Sequence, residues 1–554
     1  MFVEIVPFLR EEMLARLRRD RFDVLVVGGG ITGAGVALDA ATRGLHVALV
    51  ERDDFAAGTS SKSSKLVHGG LRYLQQRDFS LVYEALYERQ IALRNAPHLV
   101  RVLPFLLPVL TRDGLLPRRL ARALGSALWL YDLTGGARIG KVHRRIRTRR
   151  ALAHMPTLRE DRLAAAYLYY DAQADDARLT LAVARTAARH GAVVLNHARV
   201  VGFTRGVAPG PETPPPAGAG GPAGRITGAV VEADGERIEV RADCVVNATG
   251  VWADELRALD EGADPGSLRP AKGVHITVPW ERVRNDIAAI LPVPRDRRSI
   301  FVVPWGDVTY IGTTDTDYDG PLDEVTCTPD DVGYLLGALR PALVDPPGPD
   351  AVVATWAGLR PLVSGGSVGD KTADLSRRHQ VHTSPSGLVT VTGGKLTTYR
   401  RMAADTLDVV VARLGRGGRC RTKRLPLVGA EGPVPDDAHL ARRFGSEAAE
   451  VLRLAEGEPG LAGPLVPGLP YRAAEAVFAV RHEMACTLDD VLSRRTRARL
   501  LSWEATWSAV DDVATLIGRE LGWDDARRRH EVACFRAALA AERDAAGLGA
   551  GVAR

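Results

Sequence analysis

The 554-residue chain predicts a mixed α/β fold with an all-helical C-terminal domain. Three observations predict it. Near the N-terminus a glycine-rich turn joins an apolar run to a helical stretch. Between 269 and 380 short strand-like runs alternate with turns. From Val434 onward the chain is rich in Ala, Arg, Leu and Glu and reads as helical. With 46% hydrophobic and 25% charged residues, this is a globular chain long enough for two or three domains.

Residues 1–20 read as an amphipathic lead-in helix. The apolar run Phe22–Val27 follows as a strand. Gly28-Gly29-Gly30-Ile31-Thr32-Gly33 then turns into a helix running from Thr32 to Arg43, and the apolar run Leu45–Val50 ends on Glu51. Strand, glycine turn, helix, strand and acid form one βαβ unit of the Rossmann-like kind. In such a unit Gly28, Gly30 and Gly33 let backbone approach a pyrophosphate. The helix start at Thr32 supplies N–H groups and a positive dipole end, and Glu51 accepts ribose hydroxyls. An acid at this position repels a 2′-phosphate, so the unit points to FAD or NAD and away from NADP.

A polar loop, Gly58–Lys65, leads through Leu66–Leu74 to a helix over Phe79–Ala96, ended by Pro97. Residues 112–150 interleave many arginines with leucines and Trp129. Two readings of this stretch stay open: a basic amphipathic face lying on anionic lipid, or a solvated face whose leucines pack on the core. A helix over Leu179–Ala188 precedes strands at Val193–Leu195 and Val200–Thr204. Gly206–Gly224 is a Pro/Gly/Ala insertion with no core of its own. Strands at Arg225–Val231 and Arg237–Val240 then feed the buried run Cys244–Gly250. Simple NAD-binding doubly wound domains lack such a meander, so the balance shifts to FAD and a glutathione-reductase type of domain. The runs Val274–Val278, Ser299–Pro304, Thr309–Gly312 and Ala351–Trp356 predict an antiparallel β-sheet substrate domain. Leu388–Thr392 returns to buried-strand character, and Gly393-Gly394-Lys395 opens a long helix from Leu396 to about Leu414. The expected division is a lead-in (1–20), an interrupted cofactor domain (21–110, 160–255 and 385–415), a basic segment (111–159), a substrate domain (256–384) and a helical domain (416–554).

No apolar run is long enough to span a bilayer, and Met1–Asp20 has no signal-peptide core, so the expected compartment is the cytoplasm. Cys244, Cys327, Cys420, Cys486 and Cys534 are scattered without CxxC spacing; this suits a reducing environment, and no metal site is expected. The net charge of +6 comes with no nucleic-acid recognition motif, so no nucleic-acid partner is expected. The only lysines are Lys62, Lys65, Lys141, Lys272, Lys371, Lys395 and Lys423, and several fall in the loops that carry motifs.

The segment Thr59–Leu74, TSSKSSKLVHGGLRYL, resembles the FAD-dependent glycerol-3-phosphate dehydrogenases of aerobic respiration. The resemblance extends through GGGITGAGVALDAATRG, EALYERQIALRNAPHL, DARLTL, VNATGVWAD, KGVHITVP, FVVPWGDVTYIGTTDTDY, WAGLRPL, GGKLTTYR and CTLDDVLSRRTR, in the family's order. The lead-in helix and the Gly206–Gly224 insertion depart from the family, and the calcium-loop extension of mitochondrial members is missing. The resemblance implies an FAD domain interleaved with an antiparallel substrate domain and followed by helices. It implies oxidation of sn-glycerol 3-phosphate to dihydroxyacetone phosphate, with electrons passed to a membrane quinone. A protein peripheral on the inner face of the cell membrane is expected, with the basic amphipathic segment as its candidate contact with anionic lipid; a homodimer stays open.

Residue by residue, the resemblance carries substrate contacts onto Arg72, Tyr73, Arg377 and Lys395, and places Arg360 close to the reacting alcohol. His275 is the preferred general base, having a side chain suited to proton transfer near neutral pH, with His68 the second candidate. The expected mechanism stabilises an alkoxide on Arg360 while His275 takes the proton. Lys272, three residues away, is expected to lower the His275 pKa. Thr59, Ser60, Ser63, Ser64 and Leu66 are expected along the diphosphate or flavin edge, Thr249 and Gly250 along the pyrophosphate or ribitol, and Val200 at the adenine. Gly394, Lys395, Leu396 and Thr397 are expected to aim a helix N-terminus at the reduced flavin ring. Two rivals remain: a glycerol-3-phosphate oxidase using O2, and a non-catalytic FAD-binding protein that docks on membranes.

Overall fold

The computed structural model describes residues 8–70, 78–110, 128–132, 135, 139–206, 224–293, 298–364 and 378–549. The lead-in forms helix α1 (Arg10–Arg19), which buries Met13, Leu14 and Leu17. Strand β1 (Arg21–Val27) enters the glycine turn, α2 (Ile31–Thr42) leaves it, and β2 (Val47–Val50) completes the βαβ unit. In β1 and β2 consecutive residues are buried on both faces, as a central parallel strand requires. Strands β3 (Leu66–Val67), β4 (Val100–Leu110), β5 (Arg144–Ile146) and β6 (Leu163–Ala174) come next, with α3 (Phe79–Asn95) and α4 (Thr148–His154) between them. Helix α5 (Asp176–Arg189) leads to β7 (Val193–Leu195).

Strands β8 (Ala198–Gly206), β9 (Arg225–Ala233) and β10 (Glu236–Asn247) make the expected meander. The first half of β10 pairs antiparallel with β9 and its second half pairs parallel with β1. After α6 (Ala253–Glu261), strands β11 (Leu268–Pro279), β12 (Ala288–Pro292), β13 (Ser299–Trp305), β14 (Val308–Gly312) and β15 (Thr316–Asp317) follow. Helix α7 (Pro329–Leu339) and β16 (Ala354–Val363) come before the hairpin β17 (Gln380–Thr383) and β18 (Val389–Thr392). One sheet runs β17-β18-β10-β1-β2-β7 with the meander attached; the other runs β15-β11-β14-β13-β12-β4-β6-β3, with β16 on β11 and β5 on β6.

The interleaving goes deeper than the sequence division. Strands β3, β4 and β6 were expected in the cofactor domain, yet they join the second sheet, where β4 pairs with β6 and β12. Strand β17, expected in the substrate domain, pairs with β18 in the first sheet. The partners of β3, β4 and β6 lie far away in sequence, so local pattern does not assign them, whereas β17 is carried into the first sheet by its hairpin with β18. The expected long helix after Lys395 starts with a 3₁₀ turn, Leu396–Thr398, before α8 (Tyr399–Leu414). Of the basic segment, the described part holds β5 and α4; most of 111–138 and the insertion over 207–223 lie outside the described residues.

The remainder is helical: α9 (Ala438–Phe444), α10 (Ala448–Gly457), α11 (Ala473–Glu483), a π-helical turn (Asp490–Arg495), α12 (Ala498–Leu501), α13 (Trp503–Leu521) and α14 (Asp525–Ala545). Val510, Val513, Ile517 and Leu492 of this domain share one apolar core with Val308 and Ala354 of the second sheet. The helical domain is also tied to the cofactor domain by buried ion pairs. Asp54 meets Arg494 and Arg495 at 2.6 Å, Arg178 meets Glu483 at 2.7 Å, and Arg185 meets Glu447 at 2.6 Å. Lone buried charges are prohibitively costly, so each pair fixes the docking of one domain on the other.

Candidate active site

A cavity of about 320 Å³, within the range of ligand pockets, lies over the C-terminal ends of the parallel strands. The glycine turn forms its floor. Gly28 adopts φ +109°, and a Cβ there would stand 2.6 Å from the Ala248 carbonyl oxygen. A Cβ on Gly33 would stand 1.8 Å from the Gly28 carbonyl oxygen, so the glycine lets α2 press onto the turn. Gly30 caps α2 without a side-chain partner, and Gly30, Ile31 and Thr32 line the cavity, which gives it the positive end of the helix. Ser60 lines it too, its Oγ accepting the Ile31 N–H at 2.9 Å.

Glu51 is held in place by accepting the Gly29 N–H at 2.6 Å and the Asp53 N–H at 2.9 Å. Burial raises its pKa above the usual carboxylate value, against the lowering effect of those two hydrogen bonds. Ala198, Arg199 and Val200 form one wall, Thr249, Gly250 and Trp252 another, and Gly393, Gly394, Lys395 and Leu396 a third. An elongated groove with a backbone cradle, an acid and a helix N-terminus fits a dinucleotide.

The polar loop divides its side chains. Thr59 and Ser60 face the cavity, although the Thr59 hydroxyl donates to the Leu359 carbonyl at 2.6 Å. Ser63 turns away from the cavity wall to Asp176, donating through both N–H (3.0 Å) and Oγ (2.7 Å). The same carboxylate takes the Lys65 ammonium at 3.0 Å, the Ala177 N–H at 3.0 Å and the Arg497 guanidinium. Burial pulls the Lys65 pKa down to about 8, even with Asp176 beside it. Ser64 turns to His275 and Leu66 is buried in β3 opposite Gln173. Gly33 is buried beneath the turn, and the Thr397 hydroxyl meets the His68 N–H at 3.2 Å. Ser63, Ser64, Leu66, Gly33 and Thr397 therefore support the cavity from behind, because their polar atoms or packing faces are committed to neighbouring protein groups.

A second centre adjoins the cavity through β16, whose Pro361 lines it. His275 on β11 pairs with Trp356 on β16, the two rings stacking at 4.7 Å and 8°. His275 Nε2 is 2.9 Å from the Ser64 hydroxyl, and Nδ1 has no hydrogen-bond partner among the described residues. Burial, reinforced by the positive charges of Lys65 and Arg360, holds the His275 pKa well below 6.5. The imidazole is thus a neutral base at physiological pH. Arg360 lies four residues away in register, opposite Ala271. Its guanidinium folds back over Gly273, where a Cβ would come within 2.4 Å of Nη2, and is fixed by Thr313 Oγ1 at 3.0 Å and Asp315 Oδ1 at 3.1 Å.

Lys272 does not act on His275 as expected. Three residues apart on a strand, the two side chains leave opposite faces, and the Lys272 ammonium is paired with Asp331 at 2.6 Å. Lys65 takes the role instead. His68 lies between β3 and Phe301, whose ring it meets edge-on at 5.8 Å. Arg72, Tyr73 and Arg377 lie outside the described residues. Asp176, Arg497 and Trp356 fall within the motifs DARLTL, CTLDDVLSRRTR and WAGLRPL, but no role was expected of them; a lysine retained at position 65 in an arginine-rich chain is a further signal pointing to this cluster.

A family profile described as "FAD dependent oxidoreductase" matches residues 23–400, and one described as "C-terminal domain of alpha-glycerophosphate oxidase" matches 420–528. The chain is 41% identical to glycerol-3-phosphate dehydrogenase 2 of Mycobacterium tuberculosis, over 97% of this chain and 91% of the relative. It is 39% identical to the mitochondrial glycerol-3-phosphate dehydrogenase of Bos taurus, over 96% of this chain and 75% of that protein. Among solved structures, glycerol-3-phosphate dehydrogenase of Bacillus halodurans complexed with FAD superposes with a TM-score of 0.76 at 29% identity, covering 97% of this chain and 98% of that one.

Proposed function

Since the chain belongs to the FAD-dependent glycerol-3-phosphate dehydrogenase family, we propose that it oxidises sn-glycerol 3-phosphate to dihydroxyacetone phosphate and passes the electrons to a membrane quinone. FAD is the cofactor of this oxidoreductase, and when bound it supplies the hydride acceptor. The glycine turn, Ser60 and the α2 N-terminus would hold its diphosphate, Glu51 would take its ribose hydroxyls, and Val200 would meet its adenine. Lys395 and the 3₁₀ turn after it place a cation and free-end amides at the other end of the cavity.

The reading rests on one observation: a neutral, buried imidazole and a fixed guanidinium stand on adjacent strands beside the cofactor cavity. His275 takes the hydroxyl proton of the substrate, and Arg360 stabilises the alkoxide that results. Burial serves the base by keeping it unprotonated, and the Lys65 charge adds to that. Arg72, Tyr73, Arg377 and Lys395 would hold the phosphate, a dianion that calls for several cations.

Docking on anionic lipid draws support from an apolar and basic surface. Phe79 and Tyr83, one turn apart on α3, are exposed, as are Trp129, Leu130 and Val142, with Trp129 60% exposed. Leu128 and Tyr131 pack with Val82 and Leu86 of α3 in one cluster, which brings the stretch that carries Trp129 and Leu130 against that helix. Arg144, Arg145, Arg147, Arg149 and Arg150 are exposed along the adjoining stretch. This composition suits a protein that lies on a membrane. Among the described residues no helix is long and apolar enough to cross one.

Anaerobic addition of sn-glycerol 3-phosphate to the flavin-loaded protein is expected to bleach the flavin absorbance; a spectrum that stays oxidised refutes the reading. The profile named for an oxidase over 420–528 favours testing O2 as acceptor. Peroxide release in step with turnover would select the oxidase, and reduction of a quinone analogue without peroxide the dehydrogenase.

A further inference from the structure

A second cavity, of about 420 Å³, opens where the antiparallel sheet meets the helical domain, and the proposed reaction leaves it unused. Its walls come from the start of β4, the end of β6, the β13–β14 turn, α9 and the 468–471 loop. Most cations in these walls are paired. Arg178 meets Glu483, while Arg443 and His439 share Glu475 at 2.7 and 2.9 Å. Two are not paired with any acid among the described residues. Arg101 donates to the Gln173 amide oxygen at 3.2 Å; both Arg101 and Arg442 are exposed, and among the described residues Arg442 has no hydrogen bond or ion pair. The two face one another closely enough that the Arg442 charge, after burial, pulls the Arg101 pKa down.

The acids of the wall do not offset them fully. Asp175 is taken by Arg497, and Asp307 stands exposed on the β13–β14 turn. Two buried polar atoms lining the cavity also lack partners among the described residues. One is Gln173 Nε2, the donor end of an amide whose oxygen takes Arg101; it makes no well-formed hydrogen bond and has the Tyr310 hydroxyl near it. The second is His98 Nδ1, in a ring wedged between the backbones of Gly429 and Gly445. A buried donor without an acceptor is costly, and an anion oxygen would relieve it. Across from these groups the wall is apolar and aromatic, with Trp305, Leu469, Tyr471 and Leu501.

We propose that this cavity is a binding site for a small phosphate monoester, its phosphate held by Arg101, Arg442 and the Gln173 amide and its organic body resting on Trp305 and Tyr471. Guanidinium pairs of this kind match phosphate oxygens in fork geometry. The cavity shares no lining residue with the cofactor cavity, and Gln173 lies opposite Leu66 in the register of β3 and β6, behind the cofactor loop.

The test is calorimetric titration of oxidised holoenzyme with phenyl phosphate, which carries the required anion and a flat apolar body. Binding is expected in wild type, is expected to persist in Arg360→Gln, and is expected to weaken ten-fold or more in R101Q/R442Q at equal FAD content. Should the double variant fold poorly, Arg442→Glu alters one exposed side chain and is expected to weaken binding at least as much. No binding to wild type at millimolar concentration overturns the proposal. So does binding that vanishes in Arg360→Gln, or binding that is unchanged in the Arg101 and Arg442 variants.

Discussion

Asp176→Asn isolates the contribution of the buried cluster behind the cofactor loop. The Asp176 carboxylate is fully buried and receives donors from Ser63 (two), Lys65, Ala177 and Arg497. An amide of the same shape offers one acceptor oxygen in place of two. Whichever way it flips, its NH2 group confronts donors, and Lys65 and Arg497 keep only Asp175 as a nearby anion. Breaking a buried pair of this kind costs about 3–5 kcal/mol. Ser63 and Lys65 follow directly on Thr59 and Ser60, which face the cavity, so the loss falls on the segment that must be ordered for FAD to bind. If the whole cost is felt there, FAD affinity drops by roughly 100- to 4000-fold, at about 1.4 kcal/mol per factor of ten. The assay is the flavin dissociation constant by fluorescence quenching, with the urea midpoint measured alongside. Asp331→Asn, which breaks the Lys272 pair remote from the cavity, serves as the control and is expected to lower the midpoint without changing FAD affinity. If Asp176→Asn binds FAD within three-fold of wild type at an unchanged midpoint, the cluster does not order the loop and the reasoning fails.

Four other outcomes follow from the same geometry. Gly33→Val is expected to yield a protein without flavin, read from its absorption spectrum, because a side chain there collides with the Gly28 carbonyl. His275→Asn is expected to slow flavin reduction by about 10²–10⁴-fold in stopped flow with little change in substrate affinity. In wild type the acid limb of kcat/KM is expected below pH 6.5, since the base form of His275 is lost only as pH falls through its depressed pKa. Trp129→Ser is expected to weaken cosedimentation with anionic vesicles by about ten-fold or more, the loss of one partly buried aromatic. His98 has its pKa pulled down from 6.5 to about 4 by burial and by the Arg178 charge. The unfolded chain therefore takes up a proton that the folded chain refuses, and stability falls as pH drops from 6.5 towards 4, by about 3 kcal/mol in all. His98→Gln is expected to abolish that share of the loss in urea titrations at pH 7.5 and 5.

What the sequence discloses follows the range of the forces involved. The βαβ unit is legible because strand alternation, the glycine turn and helical periodicity are set within thirty residues, and the structure has them at Arg21–Val50. The meander is legible for the same reason. The membership of β3, β4 and β6 in the second sheet is not, because β4 finds its partner β12 far along the chain. The site shows the same division. His275 and Arg360 stand out in the sequence, but Lys272 and His275, expected in one loop, lie on strand β11, which sends their side chains to opposite faces. Arg497 closes the motif CTLDDVLSRRTR, but among so many arginines nothing local shows that this one is 2% exposed and closes on Asp176.

Asp176 and Arg497 are separated by 321 positions, and the loop they brace precedes both. Ribosomal synthesis runs from the N-terminus, so the glycine turn and its acid emerge long before the arginine that neutralises the carboxylate behind them. The dinucleotide pocket is consequently finished only once nearly the entire polypeptide has been made. A chain that stops just short of Arg497 is therefore expected to lose its colour although the glycine turn, Glu51 and Ser60 are all still present.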